Sequence, residues 1–405
     1  MKPYQSKALL IHLLFIIFPV LTTVACYAQD NKLRAHALAH ENIIIDTHID
    51  LPFHLKNNWF NISKNTKGKQ FDLTKAKVGG LNAAFMSIYT GSYLEKKGKS
   101  KQVAAKLIEL THQAIKDSNG EVAIATSPSQ VIELYKRDKI AFPLGMENAS
   151  PLEGKIENLN YFYQQGIRYL SFTHTDNNHI ADSSGAEQKR WHGLSPFGKK
   201  LVKNMNKMGM MIDVSHISDE SFWQVLALSK APVIASHSAA RHFTPDLERN
   251  LSDDMIKAIA KNGGIIMVNF GSAFLTSQAN AYYQTMMPAL YKFLAKNKLK
   301  FNDQSSKLFY QDYVKDHGEF PLATLDQLLD HFDHIIKLAG IEHVGIGSDY
   351  NGIGPTLPVG LEDVSMYATL IEGLLDRGHS EQDVKKIIGL NFLRVWSTIE
   401  QLQLY

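Results

Sequence analysis

The sequence predicts an α/β fold, a (β/α)₈ TIM-type barrel with an inserted lid segment. Eight apolar runs alternate with helix-like segments or loops, which is the pattern of a closed parallel barrel. A histidine or an acidic residue ends six of these runs. The chain of 405 residues has room for the about 250 residues of such a barrel together with insertions.

Residues 1–28 have the layout of a secretory signal peptide. Two lysines precede an apolar run over residues 8–25, and Ala28 offers a small residue for cleavage. Cleavage there would make Gln29 the first residue of the mature protein. We therefore expect residues 29–405 to form a single exported domain, either periplasmic or secreted.

Cys26 offers an alternative end to this signal. Residues 24–26 resemble a bacterial lipoprotein box, although Thr23 stands where leucine is preferred. Membrane attachment through a lipidated Cys26 therefore stays open. An uncleaved membrane anchor is disfavoured because His12 and Pro19 interrupt the apolar run. Since Cys26 is the only cysteine, the mature domain can form no internal disulfide.

The overall composition is that of an ordinary globular protein, with a net charge of +3 and 44% hydrophobic residues. Its lysine-rich pieces, residues 64–69 and 96–101, are interrupted by other polar residues, as solvated loops are. Nothing in this pattern indicates a nucleic-acid partner.

The first apolar run lies within residues 43–52 and ends in polar residues. A β-branched run without alternation indicates a parallel strand that is buried on both faces. Residues two apart on a strand point the same way, so His48 and Asp50 should project together. An imidazole and a carboxylate aimed at one point make half a metal site.

The remaining strands and helices follow in alternation. The further predicted strands cover residues 81–89, 140–146, 167–173, 210–215, 232–236, 265–270 and 343–348. The predicted helices cover residues 101–116, 156–165, 195–209, 218–228, 252–262, 325–338, 362–375 and 381–397. Residues 271–322 break this rhythm, because they are rich in aromatic residues and too long for an ordinary connection. They predict a partly helical lid.

The polar residues that end the strands are the candidate functional residues. They are His48 and Asp50, then Glu147, His174, His216, His237 and Asp349. A barrel places its chemistry at the carboxyl ends of its strands, so these side chains should meet. The alternative is that they are unrelated buried polar groups. It is disfavoured because each group would then need its own hydrogen-bond partner.

Imidazoles and carboxylates without a thiol favour Zn²⁺, and less tightly Mn²⁺ or Co²⁺. A catalytic zinc normally has three protein ligands, so five candidate ligands predict two ions. A carboxylate can bridge two such ions and hold a hydroxide between them. Glu147 lies between the two groups of ligands in chain order and is the predicted bridge. Asp349, on the last strand, is left to transfer a proton.

With these residues, the sequence resembles the membrane (renal) dipeptidase family of zinc peptidases, whose fold is a metal-dependent hydrolase barrel. The matching segments occur in the family's order and span nearly all of the mature chain. They are Asp46-Thr47-His48-Ile49-Asp50-Leu51-Pro52, Gly145-Met146-Glu147-Asn148, Arg168-Tyr169-Leu170-Ser171-Phe172-Thr173-His174, Asp213-Val214-Ser215-His216, Ala235-Ser236-His237-Ser238, Arg249-Asn250 and His343-Val344-Gly345-Ile346-Gly347-Ser348-Asp349-Tyr350.

The resemblance implies a role for each candidate residue. His48 and Asp50 would bind one zinc, His216 and His237 the other, and Glu147 would bridge them. His174 and Arg249 would contact the substrate, and Asp349 would handle the proton. Ile49 departs from the asparagine that is common in the family, which puts a hydrogen bond around the metal ligands in doubt.

The expected substrates are dipeptides, because Arg249 could grip a free terminal carboxylate bidentately. The resemblance adds tolerance for a D-residue at the C-terminal position, and a homodimer stays open. The nearest alternative is another binuclear amidohydrolase, of the lactonase or cyclic-amidase type. Those enzymes typically show His-x-His on the first strand and a carboxylated lysine as bridge. The second alternative is an exported binding lipoprotein without catalysis, although a binding protein would not need Asp349 for proton transfer.

Overall fold

The computed structural model describes residues 30–300 and 303–402. The predicted signal segment and Cys26 lie outside these residues. The strands of the described part form one sheet. They are β1 (Ile44–Ile49), β2 (Leu81–Tyr89), β3 (Val122–Ile124), β4 (Ile140–Phe142), β5 (Leu144–Glu147), β6 (Ile167–Ser171), β7 (Met211–Asp213), β8 (Val233–Ser238), β9 (Ile265–Val268) and β10 (Val344–Ile346).

Eight of these strands close into a parallel barrel, which confirms the predicted fold class. The strand order runs from β1 through β10, β9, β8, β7, β6 and β5 to β2, and β2 pairs again with β1. Closure rests on Asp46, which is level with Ile346 of β10 and with Ala84 of β2. All carboxyl ends therefore meet on one face of the barrel.

The predicted single strand over residues 140–146 is wrong, because two strands occupy this segment. Pro143 separates β4 from β5 and cannot donate a ladder hydrogen bond. Ala141 of β4 pairs with Ala83, whereas Leu144 of β5 pairs with Met86 further along β2. The short β3 pairs with β4 outside the barrel and was not predicted.

The helices pack around the barrel. They are α1 (residues 30–41), α2 (Leu51–Asn57), α3 (Leu73–Val78), α4 (Ser100–Asp117), α5 (Pro128–Lys136), α6 (Ile156–Gln164), α7 (Pro196–Met208), α8 (Asp219–Leu228), α9 (Asp253–Lys261), α10 (Ser272–Leu275), α11 (Ser277–Asn297), α12 (Asp303–His317), α13 (Leu325–Ala339), α14 (Tyr367–Asp376), α15 (Glu381–Lys385) and α16 (Asn391–Gln401). Ser195, Ser218 and Ser252, which begin three of the predicted helices, each accept a backbone N–H of the first turn. None of the helices within the described residues combines the length and apolar composition that crossing a lipid bilayer requires.

The segment between β9 and α13 is the predicted insertion, and it is largely helical. Helices α11 and α12 pack against each other through Leu290, Leu294, Phe309 and Tyr313. This small core is separate from the barrel core, so the insertion has its own packing.

The barrel interior is filled below the carboxyl-end face. Phe85 of β2 and Tyr169 of β6 stack at 5.5 Å between ring centroids, and Trp396 of α16 lies 5.2 Å from Phe85. All three side chains are fully buried. Gly145 makes room for this layer, since a Cβ there would lie 2.0 Å from the Tyr169 ring. Tyr169 thereby stands directly beneath the candidate site.

Candidate metal centre

The Glu147 carboxylate lies at the middle of the predicted residues. Its Oε1 is 3.0 Å from His216 Nε2, 3.4 Å from His237 Nε2 and 3.5 Å from His174 Nε2. Its Oε2 faces the other way and is 3.6 Å from His48 Nε2. Ligand atoms that share one tetrahedral zinc are about 3.4 Å apart, given bond lengths of about 2.1 Å. The observed spacings therefore fit metal coordination without rearrangement of the strands.

A second group extends from His48 to two further carboxylates. His48 Nε2 is 3.4 Å from Asp50 Oδ2, and ligand atoms of His48, Asp50 and Asp349 all lie within 4.8 Å of one another. Gly352 keeps this space open, because a Cβ there would lie 2.1 Å from Asp349 Oδ1 and 2.4 Å from Asp50 Oδ2. Gly352 was not singled out from the sequence.

The hydrogen bonds of His48 leave one ring nitrogen available for a cation. Tyr169 OH donates to the Thr47 carbonyl at 3.1 Å, so His48 Nδ1–H donates to the phenol oxygen at 2.8 Å. His48 Nε2 is buried and has no hydrogen-bond partner among the described residues. Burial disfavours a charged ring, but Tyr169 and the Glu147 and Asp50 carboxylates outweigh it and raise the pKa of His48 well above its usual value. The site thus attracts a cation to Nε2.

His237 is oriented by a similar relay on the other side of Glu147. Ser236 Oγ donates to Asp213 Oδ2 at 2.6 Å, so His237 Nδ1–H donates to Ser236 Oγ at 2.7 Å. The Nε2 lone pair then faces His216 Nε2 at 2.8 Å. Burial and the nearby Arg249 lower the pKa of both histidines well below the usual value. Two neutral nitrogens facing each other so closely are typical of ligands to one ion.

Two buried aspartates hold the strand ends in place. Asp46 Oδ1 accepts the backbone N–H groups of His48 and Ser348, both at 3.0 Å, and joins β1 to the end of β10. Asp213 Oδ1 accepts the backbone N–H groups of Ser215 at 3.0 Å and of Ser236 at 2.8 Å. Asp46 and Asp213 are the first residues of two of the segments that match the dipeptidase family, and this position is the sequence signal that they orient the strand ends.

Backbone conformation directs two of the candidate side chains. His216 has a φ of 72° and Asp349 a φ of 65°, in the left-handed region that L-residues rarely adopt. Each residue lies three positions after the end of a strand, where the chain leaves the barrel. Such backbone strain is common at functional sites.

Arg249 lies next to the His216 and His237 pair. Its guanidinium donates from Nη1 to Ser238 Oγ at 2.8 Å and from Nη2 to the His237 carbonyl at 2.7 Å. Nη2 is also 3.1 Å from His216 Nε2, and Nε has no hydrogen-bond partner among the described residues. The loop between β8 and α9 thus brings a fixed cation to the site.

His174 and Asp349 complete the set. His174 Nδ1 is buried without a hydrogen-bond partner in the described chain, and its ring lies 4.7 Å from that of Tyr89. Asn269 Nδ2 donates to Asp349 Oδ2 at 2.8 Å. Burial raises the pKa of Asp349 well above its usual value, and the Asp50 and Glu147 carboxylates add to the effect. A carboxyl group with a raised pKa is suited to proton transfer.

The structure therefore brings all eight predicted site residues to one place. Sequence reasoning missed the residues that orient them, among which Tyr169, Ser236 and Asn269 make direct hydrogen bonds. Tyr169 is 121 positions from His48. No local spacing in the sequence could have joined them.

Comparisons with known proteins agree with this arrangement. The family model described as membrane dipeptidase, peptidase family M19, matches residues 32–404. An uncharacterized dipeptidase of Schizosaccharomyces pombe is 31% identical over 382 residues, which are 89% of this chain and 81% of that protein. Dipeptidase verJ of Clonostachys rogersoniana is 29% identical over 401 residues, 95% of this chain and 91% of that protein.

Solved structures share the fold. The probable dipeptidase PvdM of Pseudomonas aeruginosa superposes with a TM-score of 0.80 at 29% identity, over 92% of this chain and 99% of that one. A metallo peptidase of Rhodobacter sphaeroides, liganded with a phosphinate mimic of the dipeptide L-Ala-D-Ala, gives a TM-score of 0.72 at 22% identity over 88% of this chain and 99% of that one. This chain belongs to the membrane dipeptidase family, peptidase family M19, and is a metal-dependent dipeptidase.

Proposed function

We propose that the protein hydrolyses dipeptides with two zinc ions. The observation that carries the proposal is the placement of Glu147, whose two oxygens face the His48 and Asp50 side and the His216 and His237 side. His48 and Asp50 would hold one ion, His216 and His237 the other, and Glu147 would bridge them. When bound, the ions supply the Lewis acidity that generates hydroxide from water near neutral pH and polarises the scissile carbonyl.

Zinc is proposed because the ligand atoms are imidazole nitrogens and carboxylate oxygens without a thiol. Metal analysis of the purified protein should find close to two zinc ions per chain. His216→Ala should lose at least one of them. Fully active protein that contains only one ion would contradict the bridged pair.

The substrate would be fixed by Arg249 and His174. Arg249 offers a planar guanidinium beside the His216 and His237 side, where it can pair with the terminal carboxylate of a dipeptide. His174 lies next to Glu147 and can donate a hydrogen bond to the carbonyl oxygen. Asp349, on the opposite side of the site, would deliver a proton to the leaving amine.

Helix α11 adds a cover to this site. Burial raises the pKa of Tyr283 to about 12, and nearby Tyr291 and Asp349 contribute to the shift. Tyr283 of α11 is thus near enough to Asp349 for the two groups to interact electrostatically, and a lid at this position would favour small substrates over long peptides.

We also propose that a D-residue is accepted at the C-terminal position. Support comes from the L-Ala-D-Ala mimic carried by the related metallo peptidase. For an exported enzyme, such dipeptides would come from cell-wall material.

The test is a panel of L,L and L,D dipeptides, their C-terminal amides and tripeptides, assayed with and without a chelator. We expect cleavage of free dipeptides only, and its loss with the chelator. Arg249→Lys should lower kcat/KM because lysine lacks the two-donor fork. Unchanged kcat/KM in Arg249→Lys, or equal cleavage of amides, would contradict the carboxylate clamp. Absence of any hydrolysis would favour a binding protein.

Export is a separate proposal that rests on residues 1–28. Mass spectrometry of protein from the native cell envelope should find Gln29, or a lipidated Cys26, at the N-terminus. An intact Met1 on exported protein would contradict both.

A further inference from the structure

We propose that His242, Asp253 and His334 form an additional divalent-metal site on the surface of the protein. One ligand atom from each of these three side chains lies within 4.8 Å of the other two. The group shares no residue with the centre around Glu147. It is partly open to solvent, with His242 exposed and the other two half-buried.

The three side chains come from separate elements that pack together. His242 belongs to a 3₁₀ turn (Arg241–Phe243) after β8, Asp253 opens α9, and His334 lies in α13. His334 Nε2 is 2.7 Å from Asp253 Oδ1, and the His242 ring stacks on the His334 ring at 4.4 Å. Convergence of such groups from distant parts of the chain is what a metal site requires.

The backbone on both sides of His242 is fixed. Arg241 makes a two-fold ion pair with Asp219 at 2.8 and 2.6 Å. The Phe243 ring packs on His331 at 4.5 Å and edge-on to His334 at 5.7 Å. The turn is therefore held in place, whereas the exposed imidazole of His242 can rotate about its side-chain torsions.

That rotation is needed for binding. The His242 and His334 rings are inclined by only 18°, and an ion must lie in the plane of each ring that ligates it. Turning the His242 ring aims one of its nitrogens at the His334 and Asp253 pair. The ion then replaces the hydrogen bond between those two side chains.

Two imidazoles and one carboxylate, with water in the remaining position, are a ligand set that zinc accepts. Because the site is partly exposed, we expect it to bind zinc more weakly than the buried centre. It would take up the ion last and lose it first when a chelator is added.

The site has a structural consequence for substrate binding. Ala240 and Leu251 form an isolated β-bridge, so residues 240–251 form a closed loop. This loop carries Arg249. An ion shared by His242, Asp253 and His334 would join both ends of the loop to α13. It would act on Arg249 by holding the loop, without touching the substrate.

The experiment compares wild type with His242→Ala after equilibrium dialysis of the metal-loaded enzyme against micromolar zinc. Wild type should retain one more ion per chain than His242→Ala. His112→Ala removes another exposed histidine, from α4, and should retain the wild-type number. Because the result is a difference between variants, it does not depend on how many ions the centre around Glu147 holds.

Thermal unfolding gives a second readout. Added zinc should raise the Tm of the metal-loaded wild type and of His112→Ala, but should not raise that of His242→Ala or Asp253→Asn. Dipeptidase activity in the variants shows that they are folded. Equal zinc content in wild type and His242→Ala would overturn the proposal, as would an equal zinc-dependent shift in Tm.

Discussion

At the scale of single residues, the candidate metal ligands are oriented by side chains that are not candidate ligands themselves. Tyr169 fixes the His48 tautomer, and Ser236 fixes that of His237. Such outer hydrogen bonds typically change metal affinity by about 10- to 100-fold. The candidate ligands were predictable because strand ends mark them in the sequence. Their partners were not, because a tyrosine inside an apolar strand looks like any core residue.

Tyr169→Phe tests this dependence. The substitution leaves His48 Nδ1 buried without its acceptor, so we expect zinc affinity to fall by about 10- to 100-fold and added zinc to restore activity. Tyr163→Phe alters a half-buried tyrosine that stacks on Arg168 and should behave as wild type. Zinc titration of metal-free protein is the measurement. Wild-type affinity in Tyr169→Phe would show that the phenol does not orient His48.

Asp349→Asn tests proton transfer. The amide keeps the size of the carboxyl group but cannot deliver a proton, so we expect kcat to fall by about 100- to 10,000-fold with KM little changed. Metal analysis of the same variant separates a chemical defect from loss of an ion. A normal kcat with full metal content would assign the proton to another group.

At the scale of elements, a proline and a glycine account for two of the differences between the expected and observed structure. Pro143 signals the break between β4 and β5, although the apolar run passes through it. The helix predicted over residues 381–397 contains a π turn (Lys386–Leu390). Gly389 in that turn lies against β1, where a Cβ would be 2.2 Å from the Ile43 carbonyl oxygen. A period of 3.6 residues cannot reveal such a contact.

His331 joins three elements and gives stability a pH dependence. Its Nδ1 accepts from Ala240 N at 3.0 Å, and its Nε2 donates to the Leu275 carbonyl at 3.0 Å. Burial lowers its pKa from 6.5 to about 4. The unfolded chain therefore binds a proton in this range that the folded chain excludes, and stability falls as the pH drops from 6.5 towards 4. The loss from this group is about 3 kcal/mol.

Urea unfolding of metal-free protein at several pH values checks this expectation. His331→Gln keeps an acceptor and a donor but does not titrate, so its free energy of unfolding should fall less between pH 6.5 and 4 than that of wild type. His112→Gln serves as the matched control for loss of an exposed histidine. The same slope in wild type and His331→Gln would contradict the assignment.

At the scale of the whole molecule, the proposed metal ligands come from β1 and the residue after it, from β5 and β8, and from the turn after β7. Ions bound there would link strands on opposite sides of the barrel, so the metal should stabilise the entire fold. We expect chelation to lower the Tm and two equivalents of zinc to restore it. His48→Ala should show a smaller zinc-dependent rise than wild type. An unchanged Tm after complete removal of metal would mean that the barrel is fully formed without it.

The buried layer of Phe85, Tyr169 and Trp396 fills the barrel interior below the site, so ligands cannot reach the site through the barrel. Dipeptide, water, products and metal ions would then all enter and leave through the carboxyl-end face of the barrel. A bound dipeptide analogue should therefore trap the ions behind it. Exchange of bound zinc with an isotopically labelled pool should slow when the analogue is present. The analogue enters after the ions and must dissociate before they can leave.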